Sequence, residues 1–354
     1  MFTSEPPPLS TTAIIQSEST TATTNNNMGE ATATISTVHP DILLTHIFSR
    51  LDGSSLASAS CTTTQLHSLS TQEHLWSNIC KSTWQSTNDP RISHLISTFQ
   101  NGPRSFFSDS FPLLSSSNNL KSPPPPPPVP ASELISAIDI QYKNNVIYSK
   151  VEETQTTTNW FRCSPFRIDL LEPKDIIPTT IQNGKDICQD LNENLTLSWI
   201  IIDPIQRRSA NLSSWKPVSV HRHWLTGEIQ VRFATILKGG NNHEDEKVLC
   251  GIIVGFGGCV NGDVQVKEVS LQIEDMDGIS LNGKDSLEIL QAGIGSGERK
   301  NIVREERKEK YEEYLRMKRE KEIMKLRREK RLDSLCGVLG TLVFTVFCMM
   351  VYYH

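Results

Sequence analysis

His221-Arg222-His223 sets two imidazoles at the spacing that a strand turns to one side, as metal ligands can be. No third ligand accompanies them, and Arg222 and Trp224 fit ordinary cross-strand packing. Residues 251–259, GIIVGFGGC, suggest a phosphate loop, but they lack the Lys-Ser/Thr of that loop and the full G-x-G-x-x-G spacing. Glycines within a buried strand explain them better. Glu274, Asp275 and Asp277 offer carboxylates for calcium or acid–base work, yet no acidic partner stands at EF-hand spacing. Asp277-Gly278 reads as a tight turn. No Gly-x-Ser-x-Gly, His-Glu-x-x-His or Cys/His pattern announces a nucleophile or a metalloenzyme. The sequence therefore implies no catalytic residue, no metal and no cofactor.

Composition narrows the classes further. The chain has 354 residues, 37% hydrophobic and 21% charged, with a net charge of -5, which gives no reason to expect a nucleic-acid partner. Eight cysteines are scattered without C-x-x-C spacing, as in a reduced cytosolic protein. Two glycosylation sequons, at Asn194 and Asn211, would be silent there.

The elements that carry these residues follow from patterning. Residues 1–37 are rich in Ser, Thr and Asn and too poor in large apolar groups to offset ordering entropy. No basic segment and apolar run mark a secretory signal there. From Val38 onward apolar residues recur at helical spacing. Pro40 suits a first helical turn and Asp41 its dipole, and Leu43, Leu44, Ile47, Phe48 and Leu51 are expected on one face. Asp52-Gly53 marks the stop. Ser54 or Ser55 is expected to cap a second helix carrying Leu56, Ala59 and Cys61. Ser70-Thr71-Gln72-Glu73 reads as a capping box opening a third, with Leu75, Trp76, Ile79 and Cys80 inward or at a partner surface. So small a core is marginal alone and would be stabilised by a partner.

This unit, residues 38–85, is followed by a helical extension over 86–112 and a proline-rich linker over 113–130. Its six prolines, Pro123 to Pro128, favour a stiff spacer between two modules. Residues 131–294 read as β-rich. Hairpins are expected about Lys143-Asn144-Asn145 and Leu225-Thr226-Gly227, and a strand ending at Asp203-Pro204. Short strands at this spacing predict an antiparallel sandwich or barrel. Gly293, Gly295 and Gly297 read as an exit from that domain. Residues 298–333 carry dense charge of both signs, with Glu306/Lys310 and Glu312/Arg316 at favourable i,i+4 spacing. They predict a solvated helical stalk of roughly 50 Å.

Residues 335–353 hold no charge over a length close to the ~20 needed to span a bilayer. Lys325, Arg327, Arg328, Lys330 and Arg331 precede them and resist translocation. The expectation is a single-pass, tail-anchored protein with its body in the cytosol and the endoplasmic reticulum as the default membrane. The fold class is thus α+β: a small helical domain, a separate mainly antiparallel β domain, a charged helix and one C-terminal transmembrane helix.

The stretch HPDILLTHIFSRLDGSSLASASCTTTQLHSLSTQEHLWSNIC resembles an F-box, whose pattern opens on Leu-Pro-x-Asp/Glu and closes on Leu-Trp. Pro40, Asp41, Ile42, Leu44, Ile47, Leu51, Leu56, Cys61, Leu75 and Trp76 match it. His39 replaces the usual leucine, and Cys61-Thr62-Thr63-Thr64 departs from the middle of the motif. The strings WIIIDP, RRSANLSSWKPVSVHRHWLTGEIQVRF and EVSLQIEDMDGISLNGKDSLEILQ are similar to a plant family of F-box proteins with an uncharacterised β-rich C-terminal region. That resemblance implies a non-catalytic substrate-recognition subunit of a Skp–cullin–F-box ubiquitin ligase. Pro40, Asp41, Ile42, Leu44, Ile47, Leu51, Leu56, Leu75 and Trp76 would bind the Skp-type adaptor, and through it a cullin. The β-rich region would hold a protein substrate near the membrane. The alternative is a tail-anchored scaffold whose altered F-box recruits no ligase.

Overall fold

A computed structural model describes residues 38–115, 130–239, 247–260, 262–300 and 304–353. Most of the proline-rich linker lies outside the described residues.

The chain opens with a helical layer. Helix α1 (Pro40–Ile42) continues into a wide π turn (Leu43–Ile47) and a 3-10 turn (Phe48–Arg50), followed by α2 (Gly53–Ser60), α3 (Thr64–Ser70) and α4 (Glu73–Thr83). The cap of α2 is Asp52, whose carboxylate accepts from Ser55 N at 2.7 Å, rather than Ser54 or Ser55. The capping box also fails. Ser70 ends α3 and returns its hydroxyl to His67 O, while α4 starts at Glu73 without a side-chain cap. Helix α3 itself went unread in the Thr-rich stretch; Thr63 caps it by accepting from Leu66 N. Helices α5 (Pro90–Ser97) and α6 (Pro103–Ser110) complete the layer, each with proline in its first turn.

Two antiparallel-dominated sheets follow. The first runs β12-β1-β7-β6-β2-β3, and the second β4-β11-β10-β9-β8 with β5 also against β11. In the first sheet, β2 (Glu133–Tyr142) and β3 (Asn145–Gln155) form the expected hairpin. Lys143 and Asn144 take positive φ there, the backbone a two-residue hairpin turn requires. Strand β6 (Leu195–Asp203) pairs with β2, and β7 (Arg208–Asn211) with β6. Strand β1 (Leu113–Ser115) adds to β7, so the linker starts later than its composition suggested. Strand β12 (Glu298–Lys300) closes beside β1, taking these residues from the expected charged helix. The second sheet comprises β4 (Arg167–Asp169), β5 (Ile177–Gln182), β8 (Ser219–Arg222), β9 (Ile229–Lys238), β10 (Lys247–Val260) and β11 (Asp263–Glu274). The glycine-rich 251–259 lies in β10, inside the sheet, and carries no phosphate-loop geometry.

Short helices α7 (Asn159–Cys163) and α8 (Ile187–Asn194) interrupt the strands, and α9 (Gly283–Ser296) runs through Gly293 and Gly295, where a flexible exit was expected. Leu287, Ile289, Leu290 and Ile294 of α9 join the inter-sheet core.

The layering explains the sequence of β6. Leu195, Leu197, Trp199 and Ile201 face the second sheet, whereas Ile200 and Ile202 face the helical layer. A strand covered on both sides reads as a continuous apolar run. The helical layer is thus not spaced apart from the sandwich. Leu43, Phe48, Leu56, Trp76, Trp84, Phe106 and Phe107 share one core with Ile135, Ala137, Ile200 and Ile202. Polar ties reinforce it. Trp84 Nε1 donates to Ser198 Oγ at 3.1 Å, and Ser86 donates through N and Oγ to the buried Asp139 carboxylate at 2.9 and 2.5 Å.

The last helix, α10 (Arg304–Tyr353), begins docked on the outer face of the second sheet. Tyr311 and Tyr314 pack with Val218, Ala234, Leu249 and Met276. Lys318 reaches Glu274 and Lys321 reaches Asp277, so the acidic turn serves the helix rather than a cation. Of the two expected i,i+4 pairs, Glu306–Lys310 forms at 2.9 Å. Beyond residue 325 the helix leaves the body, and its apolar end packs against none of it: Leu335, Leu339, Leu342, Phe344 and Phe347 are all exposed.

Candidate functional site

The proposed contact residues are divided by the π turn. A π turn aligns side chains five apart instead of four. Leu43 and Phe48 therefore both point inward, at 2% and 3% exposure, while Ile42 and Ile47 both point outward, at 48% and 43%. An α-helical period had put Leu43, Leu44, Ile47, Phe48 and Leu51 on one face. Pro40 and Asp41 are exposed beside Ile42, and Leu44 and Leu51 are half-buried at the margin. Thr45 and Ser49 fold their hydroxyls back onto Asp41 O and Thr45 O, both at 2.6 Å, which leaves the isoleucines as the apolar features of the outer face.

Leu56, Leu75 and Trp76 lie behind that face and do not reach its surface. Trp76 donates Nε1 to Ser70 O at 2.7 Å, packs 5.4 Å from the Phe107 ring, and has the Arg104 guanidinium 5.9 Å from its ring centroid. Gly53 is required by this packing: a Cβ there would stand 2.1 Å from the Phe107 ring. Asp52 fixes the turn between α1 and α2. Hydrogen bonds from Ser55 and Ser54 hold its carboxyl below the ordinary aspartate value of 3.8.

The face is joined to the sandwich by groups the sequence reading passed over. Trp84 is 1% exposed, and Phe106 packs edge-on to it at 5.6 Å. Burial raises the Asp139 pKa, against hydrogen bonds from Ser86 and Ser149 that favour the carboxylate. Arg208 grips Asp109 of α6 through two nitrogens, at 2.6 and 3.1 Å. Arg299 of β12 donates to Asp109 O, Ser209 O and Ile294 O. A lone tryptophan just ahead of the Asp89-Pro90 turn was the available signal for Trp84. The arginines had none, since Asp109, the residue both of them reach, lies 99 residues from Arg208 and 190 from Arg299.

A second surface lies at the β8–β9 turn. His221, Arg222, His223, Trp224, Glu228, Phe256, Lys267 and Glu268 line a cleft of about 570 Å³ there, and Trp224 is 87% exposed. Its charges are paired with neighbours: Arg222 with Asn183, Lys267 with Glu228, and Glu268 with Arg167. His223 Nδ1 accepts from Thr226 N, and no group of three metal-ligating side chains occurs among the described residues. Of the sequons, Asn211 is 1% exposed and accepts from Trp199 N and Ser213 N, a purely structural place.

A helical layer of this motif on a β-rich body defines the class, and comparison agrees. The F-box-like family profile matches residues 40–82. F-box protein At3g44326 of Arabidopsis thaliana is 47% identical over 296 residues, covering 80% of each chain. The probable F-box protein At2g36090 of the same plant is 43% identical, across 90% of this chain and 94% of its own. F-box protein At2g27310, also from Arabidopsis, is 42% identical across 88% and 95%. No solved structure matches the chain. The chain belongs to the F-box proteins, in general the non-catalytic substrate adaptors of Skp–cullin–F-box ubiquitin ligases.

Proposed function

We propose that this chain is the substrate receptor of such a ligase, held at a membrane by α10 with its body in the cytosol. The observation that carries the ligase reading is the outward pair Ile42 and Ile47 beside Pro40 and Asp41, in the segment the family profile matches. Two exposed isoleucines on so small a unit form an apolar contact that an adaptor would cover. Leu44 and Leu51 border the contact, and Leu56, Leu75 and Trp76 support it from behind. The sandwich, fused to this layer by Trp84 and Asp139, would present the substrate in a fixed orientation. The chemistry of ubiquitin transfer belongs to other subunits.

The membrane reading rests on the apolar end of α10 and on the basic flank Lys325, Arg327, Arg328, Lys330 and Arg331. Pull-down of a purified Skp-type adaptor by the full chain tests the first part. Ile42→Asp with Ile47→Asp should abolish capture while circular dichroism stays unchanged; equal capture would refute the docking face. Carbonate washing of membranes tests the second: the protein should stay with the pellet, and a variant lacking residues 334–354 should leave it.

A further inference from the structure

Strands β2 and β3 form one hairpin, yet they differ in what lies beside them. Strand β2 is paired on both sides and buried through most of its length. Strand β3 ends the sheet, and none of its eleven residues is fully buried. Thr156 N donates to Ser132 O, which fixes the phase of the ladder. Antiparallel pairs alternate, so Lys150, Glu152 and Thr154 aim their backbone groups at β2. Ser149, Val151, Glu153 and Gln155 aim theirs outward, where no partner stands among the described residues. Long edges of this kind are templates for another strand.

The side chains along the edge choose the occupant. Arg91 is shared between two carboxylates, Glu133 at 3.1 Å and Glu153. Lys150 is paired with Glu152 at 3.0 Å. The Tyr148 phenol is pushed up to about 12 by burial and by the nearby carboxylates of Glu152 and Asp175. Negative charge exceeds positive here. A second copy is the wrong occupant. Its two-fold axis would stand normal to the sheets, while α10 lies along the outer face of the second sheet. That rotation would send the two apolar helix ends in opposite directions, which one bilayer does not accommodate.

We propose that the outer edge of β3, residues 149–155, captures the substrate by strand addition, taking an extended segment that carries lysine or arginine. Backbone hydrogen bonds supply the affinity, and the carboxylates favour basic side chains. The proposal rests on the substrate-receptor reading.

The test uses the full chain in neutral detergent micelles and a fluorescent peptide of about ten residues alternating Val and Lys, read by anisotropy. Glu153→Pro removes one outward N–H and leaves the β2 ladder intact, since proline is tolerated at an edge. Glu153→Gln separates loss of charge from loss of the donor. The peptide should bind the parent chain, and Glu153→Pro should weaken it about ten-fold, with Glu153→Gln in between. A Val/Glu peptide should bind about ten-fold more weakly than Val/Lys. Hydrogen exchange should slow at 149, 151, 153 and 155 when peptide is added. Equal binding by parent and Glu153→Pro would overturn the proposal. So would slow exchange at those amides without peptide, or a dimer that Glu153→Pro converts to monomer. Adaptor capture is measured on the same samples. Peptide binding without adaptor capture would sink the ligase reading and leave the strand edge standing.

Discussion

The front and the back of the helical layer use the same apolar chemistry to opposite ends. Ile42 and Ile47 stand nearly half exposed, whereas Leu56, Leu75 and Trp76 are at most 3% exposed. On the proposed reading, a motif of some forty residues is two things at once, a contact and the scaffold behind it. Mutations in the two should separate, with stability following the back and binding the front.

The largest effect is expected at the back. Trp76→Ala removes a ring packed on Phe107 and a hydrogen bond to Ser70 O, and should cost about 3–5 kcal/mol by denaturant titration. A cost below about 1 kcal/mol would mean that the packed core is not what holds the layer together. Between the two regions sits Asp52. Asp52→Ala should cost about 1 kcal/mol at neutral pH through loss of the cap. Its folded pKa lies below the unfolded 3.8, so the contribution is present above 3.8 and lost as pH falls through the folded value. Parent and variant stabilities should therefore converge in strong acid; a constant gap would point to packing instead. The smallest effect is expected at the front. Ile47→Ser should change stability by less than about 0.5 kcal/mol while it weakens adaptor capture. A larger loss would place Ile47 in the scaffold and break the division.

The same division shows what the residues alone could tell. The hairpins about Lys143-Asn144 and Thr226-Gly227 were legible because turn chemistry is local. The sandwich was legible because short strands recur. Residues 43–48 were misphased because a π turn leaves no mark in apolar periodicity. Helix α3 was missed since its Thr- and Ser-rich residues have weak helical preference, and Thr63 supplies the cap that compensates. The union of helices and sheet was invisible for a different reason. It depends on Trp84 meeting Ser198 and Ser86 meeting Asp139, pairs 114 and 53 residues apart. The proline run argued for separation, whereas buried contact decides the arrangement.

Helix α10 is one element from its docked tyrosines to its apolar end. Tyr314 lies 0% exposed against the second sheet, and the charge-free run starts at Leu335. Lys325 still reaches Asp277 of the body, so the free turns between the body and that run measure roughly 15 Å at 1.5 Å per residue. On the membrane-tethered reading this is a stand-off distance built into the chain. A neighbouring membrane protein whose cytosolic tail is shorter than roughly five extended residues would fall short of the sandwich. The helix would then act as a length filter, sorting targets by how far they project from the bilayer before any side chain is read.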